Sequence, residues 1–399
     1  MGRAKEWYFE QLERGYSEAE GDICADCVND PELKRWVEDN ATAHACTFCN
    51  EESDQPIAAS FDEFVGVVLT GVRFDWNHPD DEGIMYISAE GGYQATITDT
   101  SDVLADYDIS DNTDVIDAIL GVVDIDGWVE REYYAGDKSQ RLEWGWDEFK
   151  RVVKHQTRYV FLVPDDGDGL AEVPPSQMLA AIGETVVDEL ADLDLIRPIT
   201  KDTDLIRIRV GEQAFHEAAE IGTPPAEFAN QANRMSPAGI GMFYGAFDVS
   251  TARAETFDPE LDAAQVLSIG TFRPTRALRV LDLADLPDIP SVFNEEGHPR
   301  IHPLRFLNAF AHDIVQPIAR DGREHIEYVP TQIVTEYFRR VFREADGGAI
   351  DGIVYESSRE PGNRAFVLFC ENEQCFAPYD GPAFLEQLVE LVSVVHEQT

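Results

Sequence analysis

Two Cys-X-X-Cys pairs near the start of the chain constrain its folding more than any other sequence feature. Cys24 and Cys27 form the first pair, Cys46 and Cys49 form the second, and eighteen residues separate the two pairs. Four thiolates supplied by two tight turns are the ligand set of a tetrahedral zinc site. Because four protein ligands fill the coordination sphere, the spacing predicts a structural zinc ion with no open position for catalysis.

Redox chemistry and an iron–sulfur cluster are the alternative uses of these cysteines. A disulfide is the weaker interpretation, since thiols stay reduced in the cytoplasm where we expect this protein. His44 lies beside the second pair and offers another ligand, but four thiolates make it superfluous.

The charge balance narrows the range of partners. The 399 residues include 77 Asp and Glu against 31 Lys and Arg, which gives a formal net charge of −46. This field disfavours nucleic acid, because a phosphate backbone is bound by clustered cations. The acidic residues are dispersed along the chain, and only 6 of the 31 basic residues are Lys. This composition predicts a halophilic protein that works in concentrated salt, where the repulsion between its carboxylates is screened. A surface that mimics a polyanion is the alternative.

Membrane and secretion signals are not apparent in the sequence. It contains no uninterrupted window of eighteen apolar residues, so no transmembrane helix is predicted. Residues 1–6 enter a polar stretch without the apolar core of a signal peptide. We therefore expect a cytoplasmic protein.

The length predicts two or three domains, and the residue patterns divide the chain into a cysteine segment (1–58), a mostly helical domain (59–198) and an α+β domain (199–399). Helical periodicity predicts helices after 111–114 and at 144–155, 175–190, 248–255 and 330–341. Short runs rich in β-branched and aromatic residues predict strands at 205–210, 241–247, 266–272, 278–283, 352–355 and 365–369. The turn-rich run at 164–169 is predicted to be a linker.

The stretch 233–255 combines three chemically unusual side chains. Arg234 lies in a turn-rich segment, Tyr244 on a predicted strand and Glu255 on the helix after it. Together they suit a phosphorylated ligand, because arginine forks onto phosphate oxygens, tyrosine offers a stacking face and glutamate supplies a charge or a base. An Arg–Glu ion pair beside a packed tyrosine is the structural alternative.

The segment 233–248, followed by 251–255, resembles the first signature of the RES domain family. Two later segments, 327–338 and 351–358, match the family in the same order, so the resemblance covers roughly 203–385. The family includes NAD-degrading toxins of toxin–antitoxin modules. The resemblance implies an α+β fold like that of ADP-ribosyltransferases, with a split sheet and NAD bound in its cleft.

The resemblance also implies a set of site residues. Arg234, Tyr244 and Glu255 match the arginine, tyrosine and glutamate of the family. The serine maps to Ser357 by its distance from the tyrosine. Ser358 remains the alternative for the site serine, because relatives usually have proline where this sequence has Glu356.

Cleavage of the bond between nicotinamide and ribose passes through an oxocarbenium-like transition state. Glu255 is the carboxylate expected under the anomeric carbon. The resemblance implies that Tyr244 stacks on the nicotinamide or walls it off, and that Ser357 holds a ribose hydroxyl. Water, inorganic phosphate and a protein side chain all stay open as acceptors, so the reaction is a hydrolysis, a phosphorolysis or an ADP-ribosyl transfer.

Anionic NAD needs local positive charge in so acidic a chain. Arg234 is expected to neutralise the pyrophosphate or to orient a phosphate nucleophile. Arg207 and Arg209 lie two residues apart on a predicted strand, and with Arg234 they are the expected basic floor of the NAD site.

Residues 147–161 resemble, less specifically, the domain that precedes RES in some relatives and is grouped with the HEPN superfamily. Its ribonuclease members space an Arg and a His more widely than Arg151 and His155, which three residues separate. A helical, non-catalytic role in regulation or dimerisation is therefore expected. The rival functions are a zinc and HEPN binding module with a non-catalytic RES half, and a HEPN-type ribonuclease.

Two kinds of partner beyond NAD stay open. The resemblance suggests an antitoxin or a regulatory protein as a partner. The HEPN-like segment suggests that the protein forms a homodimer. The residues that flank the cysteine pairs, at 38–39 and 51–54, are acidic. A protein partner is therefore favoured there over a nucleic acid.

Overall fold

The computed structural model of the protein describes residues 14–89, 91–125, 127–161, 173–259, 262, 264–316, 322–377 and 387–399. The chain divides into two compact units, Met1–Lys138 with Ile289–His302, and Ser139–Asp288 with Pro303–Thr399. The predicted linker at 164–169 lies outside the described residues. Among those that are described, no helix is both long enough and apolar enough to cross a membrane.

In the first unit, a short antiparallel strand pair brackets the cysteine segment. β1 (Asp22–Cys24) pairs with β2 (Ala58–Ser60), and α1 (Pro31–Asp39) lies between them in the sequence. The side chain of Asp30 caps α1 by accepting from two backbone amides of the first turn, at 2.8 and 3.0 Å. Proline suits the first position of this helix because its missing amide would have no partner there.

The rest of the first unit is built around α2 (Phe61–Val72). Its further elements are β3 (Trp76–Asn77), β4 (Tyr86–Ile87), β5 (Gly92–Tyr93), α3 (Thr100–Ala105), α4 (Thr113–Val122) and β6 (Val129–Glu130). Asn112 caps α4, which confirms the helix predicted after 111–114. Phe61, Phe64 and Trp128 form the centre of a core that includes three of the four cysteines.

Two helices open the second unit, α5 (Lys138–His155) and α6 (Pro175–Val186). Both confirm predicted helices, although α5 begins earlier and α6 ends earlier than the sequence pattern indicates. The buried face of α5 carries Trp146, Phe149 and Val153, which join one large apolar cluster with residues of both sheet and helices.

A nine-stranded sheet dominates the second unit. Its strands are β7 (Ile196–Ile199), β8 (Leu205–Gly211), β9 (Phe243–Ala246), β10 (Val266–Pro274), β11 (Leu278–Asp282), β12 (Gly352–Glu356), β13 (Arg364–Leu368), β14 (Cys375–Phe376) and β15 (Val389–Gln398). Strands β8 to β13 confirm the six predicted strands, whereas β7, β14 and β15 were not predicted.

The spatial order of the strands is β14, β15, β10, β8, β9, β13, β12, β11, β7. β8 and β10 pair over seven positions, but β8 and β9 share a single registered pair, Ile206 with Ala246. Two well-paired halves of the sheet therefore meet at one narrow contact. The protein has a mixed α+β fold, with helices in its N-terminal part and this large sheet in its C-terminal part.

The remaining helices of this part are α7 (Ala218–Ile221), α8 (Val249–Thr256), α9 (His298–Val315), α10 (Glu324–Glu327) and α11 (Val329–Arg340). α8 and α11 confirm predicted helices. α9 was not predicted, and it contains Pro303. Strand alternation sends Tyr355 and Val367 to the sheet face covered by the apolar cluster of α5 and α6.

Candidate functional site

The four predicted metal ligands lie together in the first unit. The sulfur atoms of Cys24, Cys27, Cys46 and Cys49 all fall within 4.8 Å of one another. Cys24 Sγ is 3.8 Å from Cys27 Sγ and 3.5 Å from Cys49 Sγ, and Cys27 Sγ is 3.8 Å from Cys46 Sγ. A tetrahedral site with Zn–S bonds of about 2.3 Å separates its sulfurs by about 3.8 Å. The donor set and its spacing therefore fit a metal ion of this geometry.

Local backbone structure shapes both cysteine pairs. The first pair brackets a single 3-10 turn that follows β1, and Asn50, at φ 59°, turns the chain so that its amide donates to the carbonyl of Cys46 at 3.0 Å. Burial raises the pKa of the Cys24 thiol to about 11, so a cluster of thiolates here requires a cation. His44 points elsewhere, with Nδ1 at 3.2 Å from the carbonyl oxygen of Ser53.

In the second unit, Glu255 and Ser357 are in direct contact. The Ser357 hydroxyl donates to Glu255 Oε1 at 2.6 Å, across 102 residues of sequence. Ser357 is buried, and Glu255 projects from the last turn of α8. Glu255 Oε2 has no hydrogen bond among the residues that the structure describes. We call these two side chains the Glu255–Ser357 pair.

A helix cap and a turn hold this pair in place. Asp248 caps α8 by accepting from the amide of Thr251 at 2.8 Å, and Glu255 follows seven residues later on the same side of the helix. The Ser357 oxygen accepts from the amides of Arg359 and Glu360, at 3.2 and 3.1 Å. Its hydrogen and both lone pairs are therefore engaged, which fixes the orientation of the hydroxyl.

Two tyrosines of the same sheet, Tyr244 on β9 and Tyr355 on β12, have raised pKa values. Tyr244 on β9 donates its hydroxyl to Ser236 Oγ at 2.9 Å, and burial raises its pKa to about 12. Burial, together with the nearby charge of Glu255, raises the pKa of Tyr355 on β12 well above its ordinary value. Both phenols are therefore neutral at pH 7. Sequence reasoning missed Tyr355, which lies on β12 two residues before Ser357.

Arg234 closes the C-terminal end of α9. Its Nη1 donates to the carbonyl oxygens of Ile314 and Gln316, at 2.8 and 2.7 Å, which have no partner within the helix. The guanidinium carbon lies 5.9 Å from the ring centroid of Tyr328. Nε and Nη2 have no hydrogen bond within the described ranges. The positive charge of Arg234 counters part of the rise in the pKa of both tyrosines, and Arg234 lies two residues before Ser236, which accepts the Tyr244 hydroxyl.

Arg207 and Arg209 lie on β8, where the two halves of the sheet diverge. Arg207 is buried and donates Nε to the carbonyl of Ile221 at 2.7 Å and Nη1 to that of Tyr244 at 2.5 Å. Burial lowers its pKa to about 9, which still leaves it charged at pH 7. Arg209 Nε donates to the carbonyl of Glu220 at 3.3 Å. Within the described residues, both arginines bind backbone carbonyls and neither contacts the Glu255–Ser357 pair.

Comparison with known proteins identifies two domains in this chain. The family model of HEPN/RES N-terminal domain 1 matches residues 39–166, and that of the RES domain matches residues 204–384. No curated protein and no solved structure matches the chain. All the members of the cluster around Glu255 lie inside the RES match. The chain therefore carries a match to HEPN/RES N-terminal domain 1 ahead of a match to the RES domain.

Proposed function

We propose that the RES domain of this protein cleaves the bond between nicotinamide and ribose in NAD. The observation that carries the proposal is the 2.6 Å hydrogen bond of the Glu255–Ser357 pair, whose carboxylate also contributes to the raised pKa of Tyr355. The RES domain points in general to an NAD-related toxin or effector. We extend this to an NAD-consuming enzyme with an ADP-ribosyltransferase-like split sheet, whose split is the single registered pair between β8 and β9.

The residues of the cluster divide the chemistry among them. Glu255 Oε2, with no hydrogen bond among the described residues, faces the positive charge that develops at the anomeric carbon. Ser357 holds Oε1 and so orients the carboxylate. Its predicted contact with a ribose hydroxyl requires that this bond be exchanged when the substrate binds. Tyr244 walls off the nicotinamide, and Arg234 binds phosphate oxygens through Nε and Nη2.

The four cysteines have a separate, structural role in this proposal. They hold a zinc ion in a ribbon-like segment, and the closed set of four thiolates leaves no position for a substrate. The HEPN-type part serves regulation or dimerisation, and an antitoxin or another regulatory protein is its expected partner. Arg151 binds both oxygens of Glu148, at 2.7 and 2.5 Å, an ion pair that lends a nuclease role no support.

Replacement of Glu255 tests the proposed reaction. We expect Glu255→Gln to lower the rate of nicotinamide release from NAD by about 10²–10³-fold, because the neutral amide cannot stabilise an oxocarbenium ion. Glu227→Gln, a change of an exposed carboxylate in the same unit, is the matched control. Assays in concentrated salt, with and without inorganic phosphate, identify the acceptor from the product. Undiminished nicotinamide release by Glu255→Gln would overturn the assignment.

A further inference from the structure

A cavity of about 390 Å³ lies within the second unit, beside Arg234. Its lining includes three cations from the last turns of α5, namely Lys150, Arg151 and Lys154. α5 lies in the part of the chain that resembles a HEPN domain, outside the segment in which the predicted site residues lie. The cavity therefore joins side chains of α5 to an arginine of the predicted NAD site.

The surroundings of this cavity are much less acidic than the protein as a whole. Four cations line it, the three of α5 together with Arg234, against two carboxylates, Asp313 and Glu327. Asp147 and Glu148, also on α5, pair with Lys150 and Arg151 from outside the lining. With them the charges of the region balance, whereas the whole chain carries −46. Two of only six lysines in the sequence face this one space. In so acidic a chain, a region where cations balance the carboxylates repels an anionic ligand less than the rest of the surface does.

Several donors on this lining remain available for that ligand. Lys154 Nζ forms one ion pair, with Glu327 at 2.8 Å, and an ammonium group has three hydrogens to donate. Lys150 Nζ contacts Asp147 and Asp313, at 2.8 and 2.9 Å, and retains a third hydrogen. Arg234 offers Nε and Nη2. These donors point to an acceptor with several charged oxygens.

The first turn of α11 also favours an anionic ligand in this cavity. Pro330 and Thr331, in the first turn of this twelve-residue helix, line the cavity. The N-terminal end of a helix carries partial positive charge and favours anions. The hydroxyl of Thr331 supplies a further donor.

We propose that Lys150 and Lys154 of α5, together with Arg234, form a phosphoryl-binding pocket that serves the RES domain. The proposal rests on the proposed NAD cleavage, since Arg234 then links this pocket to the Glu255–Ser357 pair. The phosphoryl group comes either from the pyrophosphate of NAD or from inorganic phosphate that acts as the acceptor. In either case, α5 contributes binding residues to the reaction of another domain.

Direct binding measurements test the pocket without relying on turnover. Calorimetric titration of the full-length Glu255→Gln protein with inorganic pyrophosphate and with inorganic phosphate reports the two sources separately. We expect Lys154→Met to weaken binding of the relevant probe by about tenfold or more, since it removes a charge-assisted hydrogen bond. Lys154→Arg should restore most of the affinity. Lys201→Met, which changes an exposed lysine of the same unit, should leave it unchanged.

Kinetics with the native Glu255 then distinguish the two proposals. If the pocket holds the pyrophosphate of NAD, Lys154→Met raises KM for NAD by about tenfold and leaves the dependence on free phosphate unchanged. If it holds the acceptor, Lys154→Met abolishes stimulation by phosphate. Binding of both probes that is equal in Lys154→Met, Arg234→Met and the unsubstituted chain would overturn the pocket, even where NAD cleavage persists. Loss of binding in a protein that does not cleave NAD would instead refute only the proposed reaction.

Discussion

The cysteine cluster and the Glu255–Ser357 pair are assembled in opposite ways. The sulfurs of Cys24 and Cys49, 25 positions apart in the sequence, approach to 3.5 Å through two local turns. Glu255 and Ser357 approach to 2.6 Å over 102 positions, and this contact requires β9, β13 and β12 to pair in the correct order. A local motif therefore carries its own geometry, whereas a dispersed site takes its geometry from the fold.

This difference also separates the energetic roles of the two sites. Three of the cysteines are part of the apolar core of the first unit, so a metal ion bound at this cluster and the packing around it would stabilise each other. The Glu255–Ser357 pair is held by hydrogen bonds from a helix cap and a turn. We therefore expect changes at the cysteines to act on folding and changes at the pair to act mainly on the reaction.

The largest effect is expected at the cysteine cluster. Cys46→Ser should remove the metal and unfold residues 22–60, because a structural zinc site contributes roughly 10 kcal/mol or more to folding. Zinc content and amide hydrogen exchange over this segment measure both losses. His44→Ala is the matched control and should retain one zinc ion per chain. A Cys46→Ser protein that keeps its metal and its exchange protection would contradict the four-cysteine assignment.

A smaller loss of stability is expected where the two halves of the sheet meet. Arg207→Ala leaves the carbonyls of Ile221 and Tyr244 without their donor, and each buried unsatisfied group costs about 1–3 kcal/mol. Relief of the buried charge offsets part of this cost, so we expect the free energy of unfolding to fall by about 2–3 kcal/mol. Arg209→Ala, which removes one longer bond, should cost less than about 1 kcal/mol. The free energy of unfolding is measured by urea titration. Equal decreases in Arg207→Ala and Arg209→Ala would show that the contact between β8 and β9 does not depend on Arg207.

Ser357→Ala tests the pair itself. The change removes the donor to Glu255 and the acceptor for two backbone amides, so we expect about 1–2 kcal/mol of destabilisation. Turnover of NAD should fall roughly tenfold to a hundredfold, because the carboxylate loses its orientation. Ser358→Ala is the control, since the Ser358 hydroxyl has no hydrogen bond among the described residues. This variant should change neither the free energy of unfolding nor the turnover of NAD. A larger loss of turnover in Ser358→Ala would assign the site serine to Ser358.

The smallest effect is expected in alkaline solution. The folded protein holds Tyr244 neutral with a pKa of about 12, raised by burial, whereas an unfolded tyrosine ionises near 10. The stabilising contribution of this phenol is therefore complete below pH 10 and is lost as the pH rises towards 12. Tyr244→Phe should reduce the decline in stability over this range, and Tyr159→Phe, on the surface, should not. Identical profiles for the two variants would show that Tyr244 is not the group responsible.

Much of the local structure follows from the residue patterns. The Asx caps at residues 112 and 248 and the alternation in β8 each predict their element, because caps and side-chain periods act over a few residues. α9 was missed, and it has Pro303 in its interior, where proline normally argues against a helix. The strands β7 and β15 pair with partners far along the chain, and no local pattern specifies such pairing.

The sequence by itself determined the four sulfur ligands, because their spacing and two tight turns are sufficient to bring them together. It also indicated which arginine, tyrosine, glutamate and serine to consider, through the resemblance to the RES family. Only the tertiary structure decided that Ser357 donates to Glu255, that Tyr355 lies beside them and that α5 turns two lysines towards Arg234. These contacts join residues about 80 to 100 positions apart, and packing of the whole sheet and its helices is needed to set such distances.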